Sequence, residues 1–273
     1  MINYRKGVTF VLALAFTTIA LSAQVFQNGQ LTISKLKEHV WIGETSDNCT
    51  LYLIEGTKKS LLIDTGTKCD SLDRIVRRIT SKPLDVVVTH GHYDHTGNIG
   101  YFGAIFMHKA DFSMVEGQGY KGKVNFVDEG YVFDLGDRKI EVSHMPAHTP
   151  GSIVLLDRAN GDCYSGDAFG SNQVWLQLQP LSPITDYIKA CKRMLAFIDN
   201  GIPRIYCGHY VYLKKPIGKE YIAKMLLLAE ELKSGTAKDV KPFRADVPLA
   251  GYHGPLIAAK EDVFIVYDQA ILK

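Results

Sequence analysis

A chain of 273 residues with 46% hydrophobic and 22% charged residues can bury a full core, as one large domain or two small ones, and carries no disorder signature. The formal net charge of +2 is close to neutral and no Lys/Arg block interleaves with aromatics, which argues against a nucleic-acid partner and favours a small-molecule substrate, neutral or anionic. Cys49, Cys69, Cys163, Cys191 and Cys207 are an odd number without C-x-x-C spacing, so they read as small buried residues rather than a disulfide framework; Cys207 stands apart because it lies two positions from His209.

In chain order, Arg5 and Lys6 precede an apolar run over 8–21, and the small residues Ala20, Ser22 and Ala23 follow. This predicts an export signal over residues 1–23, cleaved after Ser22 or Ala23, and a periplasmic or secreted mature protein. The run is marginal for crossing a bilayer, and polar Gln24, Gln27, Asn28 and Gln30 come next, so no stable membrane anchor is expected after cleavage. Gln24 in place of a cysteine speaks against the lipoprotein form of such a signal. The rest, 24–273, is read as a single domain.

Alternation and short turns predict strands over 31–36, 40–44, 50–55 and 60–64. Leu72, Ile75, Val76 and Ile79 at helical spacing predict a helix over 70–80, capped by Asp70. An apolar β-branched run predicts a strand over 84–88, followed by a short helix near Thr96, a strand over 104–108, a helical turn from Lys109 and a mobile loop over 117–127 that is a candidate lid. Strands are expected over 131–134, 139–145, 152–157 and 162–165, the last two joined by an Asn160-Gly161 hairpin turn. Segment 168–181, with Phe169, Trp175, Leu176 and Leu178, reads equally as a cleft wall or as packed core. A helix from Pro183, a strand over 204–207, a helix over 219–233 stopped by Ser234-Gly235, and a strand pair over 257–260 and 263–267 complete the chain. Strand-rich halves each followed by helices suggest two sheets packed face to face with helices outside.

The run Thr89-His90-Gly91-His92-Tyr93-Asp94-His95-Thr96-Gly97-Asn98 puts three imidazoles and a carboxylate at the end of a predicted strand. Imidazole nitrogen with carboxylate oxygen is a ligand set that zinc accepts. Four ligands from one turn do not all reach one ion, so His90 with His92 and Asp94 with His95 divide naturally between two. Each ion then lacks ligands, and further candidates recur in one context, a β-run bounded by glycine or proline: His148 in Pro146-Ala147-His148-Thr149-Pro150-Gly151, Asp167 in Ser165-Gly166-Asp167, and His209 in Cys207-Gly208-His209. His108, His144 and His253 are isolated and receive no metal role.

The order H-x-H-x-D-H, then His, then Gly-Asp, then Gly-His resembles the metallo-β-lactamase-fold hydrolase superfamily, and Asp64-Thr65-Gly66 upstream resembles that family's turn before the metal loop. The resemblance implies an α/β fold, a four-layer αβ/βα sandwich of two mixed sheets with helices on the outer faces. It implies two divalent ions, zinc first, iron or manganese as alternatives. His90, His92 and His148 would hold one ion, Asp94, His95 and His209 the other, and Asp167 would bridge them. It also implies hydrolysis of a small ester, lactone, amide or phosphoester by hydroxide generated between the ions, with Asp94 and Asp167 as the catalytic carboxylates. Asp64 would buttress the metal loop by hydrogen bonds.

Departures narrow the branch. The main zinc β-lactamase class has cysteine where Asp167 stands, and quorum-sensing lactonases place tyrosine where Gly170 stands. The stretch after His209 is short for the extra helical region of glyoxalase II, and an exported location suits a glutathione thioester poorly. Tyr210 and Tyr212 are candidate specificity residues. The alternatives are a zinc β-lactamase, a mononuclear iron dioxygenase sharing this loop, and a metal-binding sensor without turnover.

Overall fold

Side-chain alternation along the strands sorts the apolar residues into three cores, and these define the layers. A computed structural model describes residues 24–244 and 254–273; the export signal over 1–23 and His253 lie outside the described residues. The first sheet runs in chain order through β1 (Gln24–Gln27), β2 (Leu31–Lys37), β3 (Val40–Thr45), β4 (Thr50–Glu55), β5 (Ser60–Ile63), β6 (Leu84–Val87), β7 (Ala104–Met107) and β8 (Lys123–Phe126). It is antiparallel as far as β5 and parallel from there. Parallel neighbours need a crossover, and helices α1 (Leu72–Arg77), α2 (Tyr93–Thr96) and α3 (Phe112–Gly117) lie in those crossovers.

The next strands are β9 (Val132–Asp134), β10 (Lys139–His144), β11 (Ile153–Asp157), β12 (Asp162–Gly166), β13 (Gln173–Leu176) and β14 (Arg204–Cys207). All but β13 form the second sheet, ordered β14-β12-β11-β10-β9, with β12 and β14 parallel. Helices α4 (Ile184–Asp199) and α5 (Lys219–Ser234) flank β14 in sequence. Strands β15 (Asp239–Pro242), β16 (Leu256–Lys260) and β17 (Val263–Tyr267) join β13 in a third sheet, ordered β13-β17-β16-β15.

Tyr52, Ile54, Leu61, Ile63 and Val87 of the first sheet meet Val142, Ile153, Leu155 and Tyr164 of the second. Their neighbours Leu51, Leu53, Leu62 and Val86 turn to the opposite face, against Leu72 and Val76 of α1 and Val115 of α3. On the far face of the second sheet, Val154, Leu156 and Ile205 pack with Tyr187 and Met194 of α4 and with Leu228 of α5. The order helix, sheet, sheet, helix is the four-layer αβ/βα sandwich. Each fully buried Leu, Ile or Val contributes roughly 1.5–3 kcal/mol, which makes the strand alternation the main determinant of register.

Three expectations are corrected and one open reading is resolved. The two sheets are joined by a third, which the tail strand pair builds with β13 and β15 over α5 and the α4 core. Segment 117–127 is not wholly loop, because Val124 packs into the first sheet's outer core and β8 pairs with β7. Helix α1 is shorter than 70–80 and begins at Leu72 behind Ser71, which makes no side-chain cap bond; Asp70 instead exchanges hydrogen bonds with Gln30. Segment 168–181 is both wall and core: within β13, Val174 and Leu176 are buried while Trp175 faces a cleft. The Asn160-Gly161 turn forms as expected, with Gly161 at φ 66°, where a side chain would be strained. All five cysteines are buried and unpaired. Among the described residues no helix is long and apolar enough to cross a membrane.

Candidate metal centre

Parallel pairing of β5 with β6 and of β12 with β14 brings four C-terminal strand ends to one edge of the sandwich. Asp64 follows β5, the run His90 to His95 follows β6, Asp167 follows β12 and His209 follows β14. His148, beyond the end of β10, reaches the same edge through Pro146-Ala147. All seven expected residues come together there, in two groups whose ligand atoms lie within 4.8 Å of one another: His90, His92 and His148, and Asp94, His95, Asp167 and His209. Asp167 reaches both, with Oδ2 3.2 Å from His209 Nε2 and 4.0 Å from His148 Nε2.

Proton placement on the imidazoles tests whether these residues suit a metal. His95 Nδ1 donates to Asp64 Oδ2 (2.9 Å), His148 Nδ1 to the Trp175 carbonyl (2.6 Å), and His209 Nδ1 to the Asn48 carbonyl (2.9 Å). His90 Nδ1 donates to Thr89 Oγ1 (3.1 Å), whose own proton goes to Asp64 Oδ2 (2.9 Å). In all four Nδ1 holds a proton outward and Nε2 faces inward, where a cation can displace any proton it carries. His92 turns Nδ1 inward, 2.8 Å from His148 Nε2, so that this pair shares either a proton or a cation. His90 Nε2 and Asp167 Oδ1 are buried without hydrogen-bond partners, an arrangement that costs stability unless something binds them. The residues fit two divalent ions.

Charge points the same way. Burial, reinforced by neighbouring histidines, holds His90 well below the usual imidazole range, and burial followed by His148 brings His92 down to about 3. Burial also lowers His148, so this group is neutral with its lone pairs free. In the second group burial opposes charge but the neighbours outweigh it: Cys49 and the carboxylates raise His95, Asp167 and Asp94 raise His209, and these imidazoles in turn lower both aspartates, so that protons on the two Nε2 atoms stand where a cation would sit.

His108, Asp128 and His144 also lie close together but are organised differently. His108 Nδ1 accepts from the Ala110 N–H (3.2 Å), leaving its proton on Nε2 facing Asp128, and His144 Nε2 donates to the Pro150 carbonyl (2.9 Å). The rings stack at 3.8 Å and 16°, so their in-plane lone pairs do not meet at a point.

Asp64, expected as a buttress, accepts from the Thr89 N–H (2.7 Å), the Thr89 hydroxyl and His95. Two residues that hold the loop carry no such signal in the sequence. Thr89 links Asp64 to His90, and buried Asp111 ties the metal loop to the His148 turn by accepting from Gly91 N–H (3.0 Å), Thr149 Oγ1 (2.6 Å) and Gly151 N–H (2.7 Å). Cys207 stays outside both groups, its sulfur accepting from Ser171 Oγ (2.8 Å), whereas Cys49 lies against His95, 3.7 Å from Nε2.

Gly208 marks how closely the backbone approaches. A Cβ there would collide with Asp167 Oδ1 and lie 2.6 Å from His95 Cε1. The peptide cannot retreat, because the Gly208 N–H donates to the Gly166 carbonyl (2.8 Å) and its carbonyl accepts from Thr50 N–H (2.7 Å). Gly208→Ala is therefore expected to lower metal occupancy at the second group at least tenfold while destabilising the fold by about 1–3 kcal/mol. Metal titration beside thermal melting checks this; full occupancy would show that the site relaxes.

The two groups open into a cleft of about 480 Å³, within the range of small-molecule sites, walled on one side by β13 and the turn before it. Comparison with known proteins agrees with this geometry. The chain is 28% identical over 208 residues to the acyl-coenzyme A thioesterase MBLAC2 of Gallus gallus, covering 61% of this chain and 74% of that protein. It is 25% identical over 195 residues to the hydroxyacylglutathione hydrolase GloC of Haemophilus influenzae, covering 63% and 89%. Among solved structures, a metallo-β-lactamase from Erythrobacter litoralis superposes with TM-score 0.58 at 20% identity, covering 76% of this chain and 99% of that one. The mono-zinc form of FIM-1 from Pseudomonas aeruginosa superposes with TM-score 0.59 at 16% identity, covering 74% and 96%. The profile of the metallo-beta-lactamase superfamily matches residues 45–209, the span from the end of β3 to His209 that contains every residue of both groups. The chain belongs to the metallo-beta-lactamase superfamily and is a metallo-hydrolase of that fold.

Proposed function

We propose that this protein is a dinuclear, zinc-dependent hydrolase of acyl substrates, thioesters foremost, acting outside the cytoplasm as a single domain over 24–273. The observation that carries the dinuclear reading is the hydrogen-bond pattern: four imidazoles donate outward through Nδ1 and aim Nε2 at two points with Asp167 between. The names of the relatives, a thioesterase and a hydroxyacylglutathione hydrolase, support a thioester over a lactone or phosphoester, while an exported location counts against glutathione itself as the thiol. The basic and apolar run before Gln24 supports export.

In this reading His90, His92 and His148 hold one ion and Asp94, His95 and His209 the other. Divalent ions held there would lower the pKa of water to about 7 and polarise a carbonyl. The protein's own groups do the rest. Asp167 ties the groups together and fixes their separation. Asp94 lies at the cleft, its Oδ2 3.3 Å from His209 Nε2, where it can take the proton of the attacking water and pass it to the leaving thiolate as the carbon–sulfur bond breaks. Thr89 and Asp64 keep His90 and His95 in the tautomers this needs.

Metal analysis of the purified protein is expected to find about two zinc-class ions per chain. A panel of acyl-CoA, acyl-glutathione, aryl ester, lactone, cephalosporin and phosphodiester substrates, run on zinc, manganese and iron forms, is expected to show thioester turnover. A single ion at zinc saturation would sink the dinuclear claim, and oxygen consumption by an iron form would redirect the chemistry. An amino terminus at Ala23 or Gln24 on the exported protein checks the location.

A further inference from the structure

We infer that the acyl part of the substrate is apolar and uncharged, that it lies along β13, and that Trp175 sets its length preference. The inference rests on the acyl-hydrolase reading above and deepens it.

Its first support is the charge inventory of the cleft. The titratable side chains that line it, apart from the Tyr212 phenol at the rim, belong to the two ligand groups. Beyond the two ligand groups none of the described lining residues is Lys or Arg, so a carboxylate at the far end of the acyl chain would be desolvated against β13 without a counter-ion. The second support is the wall. Trp175 and Leu178 present apolar surface, while Asn172 and Gln173 add only neutral polar groups, which suit amides better than carboxylates. The third is registration. The Trp175 carbonyl accepts from His148 Nδ1 at 2.6 Å, so this residue sits one hydrogen bond from the reacting end. Its ring packs edge-on against Phe243 at 5.6 Å, and Val174 and Leu176 on either side are anchored in the core. An acyl chain whose carbonyl is at the metal centre therefore runs onto an indole whose position is fixed.

The test uses the zinc-loaded protein with acetyl to decanoyl thioesters and with succinyl and glutaryl counterparts. Catalytic efficiency is expected to rise about two- to fourfold per methylene until the wall is covered, and the charged chains to be at least tenfold poorer than neutral chains of equal length. Trp175→Ala should flatten the length dependence, raising KM for long chains more than it lowers kcat. Leu178→Lys should shift preference toward glutaryl at least tenfold. A binding arm separates this inference from the hydrolase reading: in the Trp41→Phe protein, Trp175 is the sole indole, and its emission should respond to decanoate at least tenfold more tightly than to butyrate, and not to succinate. If no thioester turns over but decanoate binds in this way, the hydrolase reading fails and the inference about the cleft holds. A flat length profile, or succinate bound as tightly as decanoate, would overturn it.

Discussion

Replacing Asp167 with alanine is expected to lower turnover at least about a thousandfold while the protein stays folded. Asp167 lies within 4.0 Å of imidazole nitrogens of both ligand groups, and its loss would remove an anionic ligand shared between them. Ion-based stabilisation of a developing oxyanion is worth several kcal/mol, and 1.36 kcal/mol is tenfold in rate, so losing most of it costs three orders of magnitude or more. The fold should survive, since Asp167 stands in a turn after β12 and the apolar cores lie elsewhere. Asp167→Asn keeps the shape and removes the charge, and should lose nearly as much. Steady-state kinetics with metal content per chain checks both variants. A wild-type rate in either would remove Asp167 from the mechanism.

The second large effect is expected at Asp64, which lies behind the ligand groups and belongs to neither. Its carboxylate gathers three donors, the Thr89 N–H, the Thr89 hydroxyl and His95 Nδ1–H, and it is 2% exposed. Its φ of 60° is a left-handed conformation that asparagine also tolerates, so Asp64→Asn leaves the backbone alone. The amide offers one acceptor oxygen, and its NH2 must face a donor. If it faces His95, the imidazole is driven to the other tautomer and turns a proton, not a lone pair, toward Asp167. A buried donor left unpaired costs about 1–3 kcal/mol, so melting should fall by that order. Loss of a partner behind a metal ligand typically costs 10–100-fold in affinity, and the second group should lose zinc by that factor before the first does. Sequential zinc titration distinguishes the two; equal weakening of both groups would mean that Asp64 acts on the loop as a whole rather than through His95.

Most of this centre is legible in the sequence because its chemistry is concentrated. His90 to His95 follow an apolar β-branched run, and a tight turn cannot aim four side chains at one point, so division into two groups follows from local geometry alone. His148, Asp167 and His209 repeat one context, a strand ending at glycine or proline. Residues whose importance comes only from closure of the sandwich are not legible. Thr89 and Asp111 are ordinary polar residues until the strand ends converge and their oxygens meet donors from distant loops. Cys49 looks unremarkable in its β3–β4 turn, and Cys207, flagged by its closeness to His209, turns its sulfur to Ser171. The third sheet is hidden for the same reason. Strand β13 is four residues long, and its parallel partner β17 comes far later in the chain, so only the alternation of Gln173 to Leu176 hints at it.

That late partner ties two distant parts of the chain together. The carbonyl that fixes the His148 proton belongs to β13, and among the described residues β13 pairs only with β17. A strand near the carboxyl end therefore supports the His148 ring from behind, although it contributes no residue to either ligand group. A change that loosens β17 would leave all seven side chains in the chain and still free the third imidazole of the first group to turn.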